Sequence, residues 1–70
     1  MSDTLGEALP KEQARVQALV LQYRDPLLNG AGNVAAMLME QDLQIADKVV
    51  IAGDIVGMVS IYKKLKEWEA

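Results

Sequence analysis

A chain of 70 residues with no cysteine and no histidine has to be held together by packing alone. Disulfides are excluded, and so are the common zinc sites built on those two residue types. A lone core of this size supplies only about 3–5 kcal/mol, and small folds normally add a staple. Tight helix packing and association with a second copy are the staples that remain. Composition points to the second. Apolar residues make up 51% of the chain, yet the aromatics are only Tyr23, Tyr62 and Trp68, so the excess lies in Ala, Val, Leu, Ile and Met.

The net charge is −3 and the sequence pI about 4.7. That balance disfavours DNA, RNA or an anionic membrane as the main partner, because such contacts run on clustered Lys and Arg. No apolar run approaches the roughly 20 residues of a membrane span, and Met1-Ser2-Asp3-Thr4 does not open a signal peptide. The expected compartment is the cytoplasm.

Apolar spacing predicts an all-α fold of three helices, with residues 11–70 as a single helical domain behind a flexible tail over 1–10. Pro10 suits a helix start, and Val16, Leu19, Val20 and Tyr23 then share one face of a first helix over 11–24. Ala14, Ala18 and Leu21 form a smaller apolar strip opposite. Asp25-Pro26 ends that helix, since the residue before proline is pushed out of the α region. Asn29-Gly30 reads as a turn, and Asn33 or Gly32 as the cap of a second helix over 34–52, about 28 Å long. Its polar stripe (Glu40, Gln41, Gln44, Asp47, Lys48) is narrow, and the rest is nearly all apolar. A surface helix needs an apolar arc of only about 100°; this one shows nearly twice that and is expected to be covered on more than one side.

Gly53-Asp54 is the clearest punctuation in the chain. Glycine suits the left-handed position that ends a helix, and aspartate caps the next. So short a link makes helices two and three an antiparallel hairpin, with helix three over 55–68. The expected assembly is an intertwined or packed homodimer. Leu38, Ile45, Val49, Ile55, Met58, Val59, Tyr62 and Leu65 are the expected self-association residues, and Gly57 is the place for a close helix contact.

Catalysis fails on inventory. Without His or Cys, acid–base work falls to carboxylates, Lys or Tyr, and Ser or Thr lacks the usual base. Glu40, Asp42 and Asp47 lie on one helix, but Asp42 projects roughly 140–160° from the other two on a 3.6-residue wheel. No catalytic residue, metal, cofactor or small-molecule substrate is expected. Gly30-Ala31-Gly32-Asn33 lacks the strand, third glycine or Gly-Lys-Ser/Thr ending of a phosphate loop, so a tight turn with a cap is the better reading. Lys63, Lys64 and Lys66 adjoin Glu67 and Glu69 and read as a solvated helix end.

Asp42 is the oddity, a carboxylate inside the apolar arc of helix two. Burial is costly unless it is paired. Arg15, Arg24 or the connecting loop are the expected donors; the alternative is a basic residue on a partner protein. Asn29, Gly30, Asn33, Met37 and Asp42 are therefore the candidate partner-binding residues, with Met37 exposed and adaptable.

Two resemblances accompany this reading. Ala46-Asp47, Gly53-Asp54, Met58, Tyr62 and Leu65-Lys66 resemble the hairpin spacing of tetratricopeptide-type repeats and of microtubule-interacting and transport domains. That spacing has no second copy in the chain. Over more of the chain, Gln13-Ala14-Arg15-Val16, Asn29 to Gly32, Met37 to Glu40, Ala46-Asp47, Gly53-Asp54 and Tyr62 to Glu67 are similar to small early proteins of Mu-like bacteriophages and prophages. That resemblance implies a protein that binds and disables a host protein such as a regulator, in the host cytoplasm. The expected function is thus a non-enzymatic, homodimeric protein–protein interaction module. The alternative is a small DNA-associated regulator reading DNA through a helix–turn–helix.

Overall fold

The structure, a computed structural model, describes residues 4–69. It is all-α, with three helices: α1 (Leu5–Tyr23), α2 (Asn33–Ala52) and α3 (Ile55–Lys66), plus a short 3-10 turn at Pro26–Leu28. α2 and α3 pack as an antiparallel hairpin, as expected. α1 crosses both, antiparallel to α2 and in the same direction as α3.

The first helix begins at Leu5, six residues before the expected start at Lys11. Residues 5–10, expected in the tail, are therefore helical, and residues 1–3 of that expected tail lie outside the described residues. Pro10 lies inside the helix and removes one backbone donor, a cost that normally keeps proline near the first position. What offsets it is tertiary. Leu9 is 1% exposed and extends the Val16, Leu19 and Val20 face by two turns, with Leu5 packed at its end. The second strip on this helix has no cover, and Ala14, Ala18 and Leu21 face solvent.

α1 stops where Asp25-Pro26 predicts. The Asp25 carboxylate accepts a bond from the Leu27 N–H at 2.9 Å and opens the 3-10 turn. Asn29 then takes the left-handed conformation at φ 53°. Gly32 caps α2, and the Ala36 N–H donates to its carbonyl at 2.9 Å. At the other end Gly53 sits at φ 68°. Its N–H donates to Val50 O at 3.1 Å and the Asp54 N–H to Val49 O at 3.0 Å, the bond pair of a Schellman ending. Asp54 caps α3 by accepting from the Gly57 N–H at 3.0 Å.

The core is Leu9, Val16, Leu19 and Val20 of α1, Ala36, Met39 and Ala46 of α2, and Ile61 and Leu65 of α3. α2 contributes mostly small residues, so its neighbours approach closely, and most of its large side chains point away. Gly57 also serves closeness, but within the chain: a Cβ there would stand 2.7 Å from Val49 Cγ1.

Candidate protein-interaction surface

The one buried charged side chain among the described residues is Asp42, 7% exposed. Its donors are not those expected. The Trp68 indole Nε1–H donates to one carboxylate oxygen at 2.9 Å, and Lys64 Nζ stands 3.6 Å from the other. Arg24 instead binds Glu40 at 2.8 Å, and Arg15 binds Glu12. Lys64 belongs to the last turn of α3 and Trp68 to the segment just beyond it, since α3 ends at Lys66 and not at residue 68 as expected.

Arg15 lies across the end of α3, donating from Nη2 to Leu65 O at 2.8 Å and from Nη1 to Trp68 O, just beyond the helix, at 2.7 Å. Leu65 O also accepts from the Trp68 N–H at 3.2 Å, and the forked guanidinium adds a cation at the negative end of the helix dipole. The Tyr23 hydroxyl donates to Glu69 O at 2.6 Å and fixes the segment one residue further. Asp42, Lys64, Glu67 and Trp68 rim a hollow of about 240 Å³. All their charges are engaged or solvated, and among the described residues no three His, Cys, Asp or Glu side chains gather to hold a metal.

The expected self-association residues divide. Leu65 is fully buried in the chain's own core and has no face left for a second copy, which corrects its assignment. Val49, Met58 and Tyr62 are partly buried against that core, and Lys66 sits over the Tyr62 ring at 5.2 Å. Leu38, Ile45, Ile55 and Val59 are exposed. Of the candidate partner-binding residues, Asn29, Gly30, Asn33 and Met37 are exposed, whereas Asp42 is buried with both oxygens partnered, so it does not await a basic residue from outside. The loop's small residues also have an internal use. Gly32 is buried, and a Cβ on it would meet the Tyr23 carbonyl oxygen at 2.1 Å, so the backbone that approaches this glycine belongs to α1.

What the structure adds is the extent of uncovered apolar surface. Among the described residues six large apolar side chains of α2 and three of α3 are exposed, with Ile51 at 87% and Val56 at 78%. A wide apolar arc signalled the surplus on α2; Val56, next to a buried-face glycine, had no such signal. Among the described residues no helix is long and apolar enough to cross a membrane.

Protein-family models, curated proteins and solved structures give no match to this chain. The surface itself therefore carries the functional reading.

Proposed function

We propose that this chain is a small, non-enzymatic protein–protein interaction module that works as a homodimer. The observation that carries the reading is the exposed apolar set on α2 and α3: Val34, Met37, Leu38, Ile45, Val50, Ile51, Ile55, Val56 and Val59. Single exposed apolar residues are ordinary, but contiguous apolar surface beyond a few hundred Å² marks a binding face. The exposed side of α3 argues against a recognition helix. Its first half, the part a helix–turn–helix would lay against base edges, presents Ile55, Val56 and Val59. Of its lysines, Lys64 pairs with Asp42 and Lys66 lies over Tyr62.

A role in binding and disabling a host protein rests on the resemblance to Mu-like phage proteins and belongs to the same proposal. Light scattering across micromolar concentrations tests the dimer, with about twice the 7.7 kDa chain mass expected. One-chain mass throughout that range refutes it. Binding that persists at high salt marks an apolar protein contact, whereas steep loss of nucleic-acid retention with salt marks the DNA reading.

A further inference from the structure

The outward side of α2 carries a second periodic pattern. Val34, Leu38, Gln41, Ile45, Lys48 and Ala52 follow one another at spacings of 4, 3, 4, 3 and 4, the repeat of a coiled-coil seam, and all six are exposed in the single chain. Met37, Gln44 and Ile51 border the seam on one side, seven residues apart, and are exposed as well. No carboxylate enters it. Glu40 and Asp47 lie on the flank toward α1, where they bind Arg24 and Gln13, and Asp42 is buried beneath α3.

Resting on the dimer reading above, we propose that the occupant of this seam is α2 of a second copy, running antiparallel about a two-fold axis level with residue 43. One observation selects a second copy, and another selects its direction. The first is area. The chain exposes 4902 Å², whereas a compact monomer of its mass exposes about 4300 Å². The surplus, about 600 Å², is summed over the whole chain and compares with the roughly 800 Å² that each partner buries in a standard interface. The second is charge. Parallel seams would stack Lys48 on its own copy in a core layer. Antiparallel seams set it beside the partner's Leu38, where the stem covers apolar surface and the ammonium reaches water, and they oppose the two helix dipoles. Each remaining layer then joins Gln41 to the partner's Ile45 or Val34 to the partner's Ala52. Ile51, stranded on the polar side of its own helix, lies about 3 Å along the axis from the partner's Met37, on the same side of the seam.

The chain has no cysteine, so single cysteines report the geometry cleanly. In the antiparallel arrangement Gln44 faces its own copy across the axis, while the two Val34 positions lie about 27 Å apart along the helices. A short bis-maleimide is expected to link Gln44→Cys dimers and leave Val34→Cys unlinked. In light scattering, Ile45→Glu is expected to weaken self-association at least tenfold with helicity intact, because the side chain is already exposed in the single chain. Leu27→Glu, on the 91% exposed residue of the 3-10 turn, leaves it unchanged. If the unaltered protein is one chain at every concentration, the dimer reading itself falls and this placement with it. If the protein is a dimer that survives Ile45→Glu, or links through Val34→Cys in preference to Gln44→Cys, the placement alone is overturned.

Discussion

Gly32→Ala and Gly6→Ala make the same chemical change and should move stability in opposite directions. Gly32 sits at φ −91° and ψ 0°, a backbone that alanine adopts without strain, so only space decides the outcome. Its new methyl would stand 2.1 Å from Tyr23 O, 2.9 Å from Tyr23 C and 3.0 Å from Tyr23 Cα. All three are backbone atoms and none turns aside by a rotamer change. Relief requires the first turn of α2 to back off α1 by about 1 Å, opening the packing around Ala36. Overpacking of this kind costs about 1–3 kcal/mol, against about 3–5 kcal/mol for a domain this small. With each kcal/mol worth about 4–8 °C, the melting temperature should fall on the order of 10 °C. At Gly6 the nearest atom to an added Cβ is Thr4 Oγ1 at 3.9 Å, in the exposed first turn of α1. Alanine there restrains the unfolded chain and should raise stability by about 0.5–1 kcal/mol. Thermal circular dichroism at one fixed protein concentration reads both, since self-association makes melting concentration-dependent. A Gly32→Ala protein as stable as the Gly6→Ala protein would refute the close approach of α1 to α2.

Two further substitutions probe the end of α3. Asp42→Ala leaves the Trp68 indole N–H without its acceptor and should cost about 1–3 kcal/mol, with tryptophan emission shifting as the ring loosens; unchanged emission and melting would show that the carboxylate holds nothing. Arg15→Met keeps the aliphatic stem but removes the donors to Leu65 O and Trp68 O, and hydrogen exchange should report lost protection over residues 65–69, with α2 protected as before.

Local chemistry made much of the fold legible. Gly53-Asp54, Asp25-Pro26 and the Val16, Leu19, Val20 and Tyr23 face each act within a turn or two of chain, and each is where the sequence places it. The misreadings are long-range. Pro10 is a true local signal for a helix start, and it is outweighed by the burial of Leu9, which depends on helices that lie far along the chain. Asp42 reads correctly as a carboxylate in an apolar arc, but its donor, Trp68, is 26 residues away and beyond the helix end. The surface shows the same division. A surplus of apolar side chains on α2 is visible in composition, but which ones the chain uses for itself is decided by Ala36, Ala46 and Gly57, small residues that set where the helices touch.

The Arg15 bonds to Leu65 and Trp68 close 50 and 53 residues of chain, and this has a kinetic consequence. The α2–α3 hairpin needs only a two-residue link and can form early, whereas seating α1 against the end of α3 must wait for most of the chain to be ordered. An interaction made that late is absent from the transition state, so it leaves the folding rate nearly unchanged and acts on the rate of unfolding. The guanidinium is therefore expected to set how long a folded molecule lasts more than how fast it is made.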